Sequence, residues 1–170
     1  MQFVPAEPVH FPAIIALVNA AYRGEASKAG WTTEAWLIDG DKRTDETQLA
    51  EMLLVPGSQL LQAIDDAGDL QGVVYLKPTD RGVYLGMLSV WPQRQAAGTG
   101  KLLMAAAEAA ATRMGHACIY MNVVSARHEL IAWYQRRGYV LTGETAPFPA
   151  SQQYGMPNTQ LQFVVMEKKW

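Results

Sequence analysis

The chain has 170 residues, 49% of them hydrophobic and 18% charged, with a formal net charge of −2. That length suits one domain with a sizeable core, and the apolar fraction excludes a disordered chain. No apolar run reaches the roughly 20 residues of a membrane-spanning helix, and the near-neutral charge argues against a nucleic-acid partner.

The opening Met1-Gln2-Phe3-Val4-Pro5 lacks the basic start and apolar run of a signal peptide, so a soluble, cytoplasmic protein is expected. Phe3 and Val4 suit a short first strand. Over residues 11–22, Ile14, Ile15, Leu17, Val18 and Ala21 recur at helical spacing, and Gly24 stops the helix. Residues 23–31 read as a loop. Thr32-Thr33-Glu34 offers capping chemistry for a short helix around Trp36, and Thr44-Asp45-Glu46-Thr47 for another through Leu53. The period then changes. Residues 59–64, 72–76 and 83–90 read as three strands joined by Asp- and Gly-rich turns, an antiparallel meander. Residues 101–114 form a clear amphipathic helix, 118–124 an apolar strand and 129–136 a helix ended by Gly138. Residues 139–143 and 160–167 suit two last strands. The order is that of a mixed α/β sheet flanked by helices.

The most informative segment joins the strand ending Leu88-Ser89-Val90 to the helix beginning Lys101-Leu102-Leu103. A strand that turns through small residues into a helix N-terminus leaves backbone N–H groups unpaired at the positive end of the helix dipole, which suits an anion. Three phosphate motifs use this physics. A P-loop needs Gly where Gln95 stands and a hydroxyl where Leu102 stands; a dinucleotide fingerprint needs Gly at Leu103. Gln95-Ala96-Ala97-Gly98-Thr99-Gly100 matches the third pattern, [QR]-x-x-G-x-[GA]. Here the chain resembles the GCN5-related N-acetyltransferases, the GNAT family. A second stretch, from Arg127-His128-Glu129 through Trp133-Tyr134 to Gly138-Tyr139, is similar to that family's helix signature, with Arg127 at the place of its asparagine.

The resemblance implies a GNAT (acyl-CoA N-acyltransferase) fold with a mostly antiparallel central sheet of about seven strands. It implies transfer of the acetyl group of acetyl-CoA to an amine, with acetyl-CoA as cosubstrate and no metal. The amine acceptor is expected to be a small molecule, less readily a protein. Leu88, Ser89 and Val90 would bind pantetheine and face the thioester, and Gln95, Ala96, Ala97, Gly98, Thr99, Gly100 and Lys101 would hold the pyrophosphate through backbone amides. Arg127 could hold phosphate or pantetheine oxygens. Tyr134 takes the family's role of the acid that protonates the departing sulfur; a phenol with a pKa of about 10 is suited to donating at neutral pH.

For the base, Glu144 is the leading candidate, with Glu25 and Glu34 as others; each has an alternative reading as a solvated surface charge. His10, His116 and His128 are scattered and form no triad with Ser125. Cys118 reads as core, and a single cysteine supports no internal disulfide. Residues 23–31 and 147–157, the latter with Phe148, Tyr154 and Met156, are expected to border the acceptor or, for the second loop, a homodimer interface. Residues 1–90 carry a net charge of −6 and residues 91–140 a net of +4. That split suggests steering of an anionic cofactor to one side and a cationic acceptor to the other. The competing readings are a catalytically silent CoA-binding sensor of the same fold, or an acyltransferase with another acyl-CoA or an alcohol acceptor.

Overall fold

The structure is a computed structural model and describes residues 1–149 and 151–170. Ala150, in the second expected wall loop, lies outside them. In chain order the elements are β1 (Gln2–Pro5), α1 (Phe11–Tyr22), α2 (Gly24–Ser27), β2 (Ile38–Asp39), α3 (Glu46–Leu53), β3 (Gln59–Ile64), β4 (Leu70–Pro78), β5 (Val83–Val90), α4 (Thr99–Arg113), β6 (Cys118–Val124), α5 (His128–Gln135), β7 (Val140–Pro147), β8 (Met156–Pro157) and β9 (Gln162–Lys169). Seven of the strands form one sheet in the order β1-β3-β4-β5-β6-β9-β7, and β2 pairs with β8 apart from it. Every pairing is antiparallel except that of β5 with β6. This is the mixed, mostly antiparallel architecture the resemblance implied. No described helix is long and apolar enough to cross a membrane.

Two apolar layers cover the sheet. On one face α1 buries Phe11, Ile14, Leu17 and Val18, the i, i+3, i+4 stripe of a helix lying on a core, against Leu60, Val73, Tyr75 and Met87. On the other, α4 lays Leu103, Met104, Ala107 and Ala111 on Leu61, Val74, Leu76, Val83 and Leu85. Alternate residues of β4 therefore serve opposite cores, as a doubly covered strand requires.

Two expectations for the N-terminal region fail locally. Residues 23–31 contain the four-residue α2 rather than an uninterrupted loop. The short helix expected around Trp36 is a single turn, in which the amides of Leu37 and Ile38 both donate to Glu34 O. The Thr33 hydroxyl accepts from the amide of Ala35 and meets the Ser27 hydroxyl, so the capping side chain closes a turn instead of starting a helix. Ile38 then pairs with Pro157 in the small sheet.

Candidate active site

The site is built around a break in the sheet. β5 and β6 face each other only at Val83 opposite Ile119 and Tyr84 opposite Tyr120. Beyond Tyr84 they diverge, so the edge of β5 from Leu85 to Val90 has no strand partner on that side. On its other edge, Val73 faces Ser89 but Tyr75 faces Gly86, which places one extra residue in β5. The bulge falls at Met87, whose φ is +51°, a left-handed conformation that costs a non-glycine residue on the order of 1 kcal/mol. It also reverses the strand's facing: Val83 and Leu85 belong to the α4 core, whereas Met87 is buried in the α1 core. The Tyr22 hydroxyl donates to Leu88 O at 3.1 Å, and the Ser89 hydroxyl to Met87 O at 2.9 Å.

Past β5 the chain makes the turn anticipated from its glycines. Gln95 N–H is taken by Pro92 O at 3.4 Å, so the cradle begins one residue later than expected, at Ala96. Among the described residues, no backbone N–H from Ala96 to Lys101 has a hydrogen-bond partner. Ala96 and Gly98 turn the chain with φ of +64° and +93°, and a Cβ on Gly98 would meet nothing within 4 Å. Open space at Gly98 beside six unpartnered amides at the N-terminus of α4 suits the pyrophosphate of an acyl-CoA. The Gln95 side chain turns inward, where its Nε2 donates to Val90 O at 3.2 Å.

Two cavities meet in the break. The smaller, about 70 Å³, runs beside Ser89, Val90, Gln95, Gly100 and Trp133, between cradle and sheet. The larger, about 370 Å³, opens between β5 and β6 and is walled by Phe148 and Tyr154, two of the three residues expected there. Both are lined by Tyr22, Leu88, Arg127, Leu130 and Tyr134, which mark their junction. The Tyr134 ring is buried, edge-on to Trp133 at 5.1 Å and to Tyr139 at 5.9 Å. Burial, then the neighbouring Tyr22 phenol, pushes its pKa above the ordinary 10.0, and its hydroxyl has no hydrogen-bond partner among the described residues. It keeps its proton at neutral pH and has nothing in the protein to spend it on.

The carboxylates fall differently from expectation. Glu144 projects from β7 with 55% of its side chain exposed, paired with Arg81 at 2.9 Å, and lines neither cavity. Arg81 also holds its carboxyl below the ordinary value, which makes it a weaker base, so the geometry does not place Glu144 at the reaction centre. Glu25 is exposed and pairs with Lys28. Glu34 is no surface charge: it is 6% exposed and lies between Arg23 and Arg127, accepting a hydrogen bond from each.

Arg127 is likewise not free for phosphate. Its guanidinium donates to Glu34 Oε1 at 3.2 Å and to Thr32 Oγ1 at 2.7 Å, at the junction rather than at the cradle. The ionised groups of the larger cavity are Arg23, Arg43 and Arg127 against Glu34. Residues 1–90 supply Arg23, Arg43 and Glu34 and the basic segment supplies Arg127, so the wall holds more cations than anions where a cationic acceptor was expected. Tyr22, Arg23 and Arg43 were not marked by any motif; a tyrosine beside an arginine at a helix end has no local signature.

A model of the Acetyltransferase (GNAT) family matches residues 17–139, and the chain belongs to that family. Among solved structures, the ribosomal-protein-alanine N-acetyltransferase of Brucella melitensis is 18% identical with a TM-score of 0.72, covering 100% of both chains. The PaiA N-acetyltransferase of Thermoplasma acidophilum, in complex with coenzyme A, is 16% identical with a TM-score of 0.75, over 99% of this chain and 98% of that one. YncA, a putative acetyltransferase of Salmonella typhimurium with its cofactor acetyl-CoA, is 19% identical with a TM-score of 0.69, over 99% and 93%. A search of curated proteins finds no significant sequence match.

Proposed function

We propose that the protein is an acetyl-CoA-dependent N-acetyltransferase whose acceptor is an amine on a small molecule. The observation that carries this reading is a continuous path: amide cradle, narrow cavity, Tyr134 hydroxyl, wide cavity. Ala96 to Lys101 would hold the pyrophosphate, and the free edge of β5 from Leu88 to Val90 would align the pantetheine arm as a further strand. Acetyl-CoA supplies an activated acyl group as a thioester. The amine enters from the larger cavity, and holding it against that carbonyl supplies much of the acceleration. As the N–C bond forms and the C–S bond breaks, Tyr134 gives its proton to the departing sulfur. With Glu34 engaged by two guanidiniums, the proton lost by the amine leaves through the open cavity to water, and the Tyr134 phenolate regains a proton by the same route.

The test is thermal melting with acetyl-CoA, CoA and ATP, followed by thiol release with a panel of amines. A ligand that binds only the folded state raises the melting temperature. Stabilisation by both CoA species and not by ATP, with thiol released on adding an amine, is the expected result. No shift with either CoA species removes the cofactor; a shift with no turnover on any amine favours the CoA-binding sensor.

A further inference from the structure

We infer that the acceptor amine carries a carboxylate, and that Arg43 receives it on the wall of the larger cavity. The inference rests on the N-acetyltransferase reading and adds the chemical class of the substrate.

Charge in the cavity does not balance. Arg23 and Arg127 share Glu34, and Arg127 also has Glu129 Oε1 at 3.8 Å from its Nε, whereas no carboxylate lies within ion-pair distance of Arg43 among the described residues. Arg43 is nevertheless fixed. Its backbone N–H donates to Asn19 Oδ1 at 2.7 Å, and Thr44 N–H to the same oxygen at 2.9 Å, which ties this stretch to α1. Its half-buried guanidinium lies over the Tyr22 ring at 5.4 Å, and that ring's hydroxyl is bonded to Leu88 O on the bulge. Among the described residues, no side-chain hydrogen bond is made by that guanidinium or by the buried Nε atoms of Arg23 and Arg127. A planar fork of donors, held at cation–π distance from an aromatic ring and without a counter-charge among the described residues, matches a carboxylate.

A carboxylate on the amine would pair with Arg43 and so anchor the nitrogen for attack on the thioester. Met87, Met121, Phe148 and Phe163 offer apolar surface to a side chain, beside the polar Gln48, Asn122 and Ser151. These properties describe the amino-acid class of amines, in a volume suited to a small ligand.

The experiment compares thiol release from acetyl-CoA with proteinogenic L-amino acids against their carboxamides, in wild type, Arg43→Gln and Arg43→Lys. Arg43 makes no ion pair, so both variants should fold. Binding of acetyl-CoA, measured by melting in parallel, reports on the cofactor reading separately. The expected result is that the best amino acid exceeds its carboxamide by roughly 10- to 100-fold in kcat/KM, chiefly through KM. Arg43→Gln should collapse that ratio towards one, and Arg43→Lys should restore part of it. Carboxamides used as well as acids, or a ratio unchanged in Arg43→Gln, would overturn the inference while leaving the acetyltransferase reading intact. Stabilisation by acetyl-CoA with no amino acid turned over would overturn it too.

Discussion

Arg127 Nη1 donates to Glu34 Oε1 at 3.2 Å across 93 residues of chain, and that contact joins the first loop to α5 beneath the cavity junction. Both side chains are nearly buried, so the ion pair is screened little by solvent. Glu34 is also the partner of Arg23, and burial lowers the pKa of that guanidinium while Glu34 opposes the fall. Glu34→Gln would leave buried Arg23 without its anion and Arg127 with only Glu129 Oε1, at 3.8 Å. We expect a loss of about 3–5 kcal/mol in unfolding free energy, read by urea denaturation. If Glu34 were a base that only touches substrate, stability would hold and turnover alone would drop.

Tyr134→Phe separates chemistry from binding. The ring keeps its edge-on packing against Trp133 and Tyr139, so acetyl-CoA affinity should change little. Removing the proton donor should lower kcat by about 10²- to 10⁴-fold, measured by thiol release. Because the phenol's pKa is raised above 10.0, the protonated form persists through the neutral range, and no alkaline fall in rate from Tyr134 is expected below pH 10.0. Equal kcat in the variant would remove the acid role.

The contrast between the cradle and the Glu34–Arg127 pair shows what the chain made legible. Ala96 to Lys101 would act through contiguous backbone amides, so the residue pattern itself marks the proposed cradle, and Tyr134 was marked by its spacing from Gly138. Leu88 to Val90 were placed by the strand that leads into that turn. Glu34 and Arg127 were each visible as residues but not as partners, since nothing local links positions far apart in the chain. The failed helix at Trp36 has the same origin: Thr33 bonds to Ser27, a partner outside the stretch it was expected to cap. Arg43 was hidden because its meaning is the absence of a counter-charge, which only tertiary structure reveals.

Gly98 is where the cradle can be tested without touching the core. Its φ of +93° disfavours any side chain, and its missing Cβ faces the open space above the amides. Gly98→Val should weaken acetyl-CoA binding by at least about tenfold through that intrusion and through displaced amides. Its local strain should cost about 1–2 kcal/mol of stability. Titration calorimetry with CoA decides; an unchanged dissociation constant would mean that the pyrophosphate lies elsewhere.

Asp45 links pH to the acceptor wall. As the cap of α3 it accepts from Gln48 N–H at 2.9 Å, and it also holds Tyr154 and Gln153 of the wall loop at 3.2 and 3.0 Å. The Gln48 amide, then the ammonium of Lys42, holds its carboxyl down at about 2. An unfolded aspartate titrates near 3.9. A depressed carboxyl stabilises the fold fully above the unfolded value, and the contribution fades as pH falls through about 2. Asp45→Ala should therefore cost about 1 kcal/mol at neutral pH, and its unfolding curve should converge with the wild type in acid. Asp45→Asn, which preserves the cap without the charge, should keep most of that stability at neutral pH. Because both variants release Tyr154 or weaken its hold, KM for the acceptor should rise while acetyl-CoA affinity stays constant. A wild-type KM in Asp45→Ala would show that the wall stands without its tie to α3.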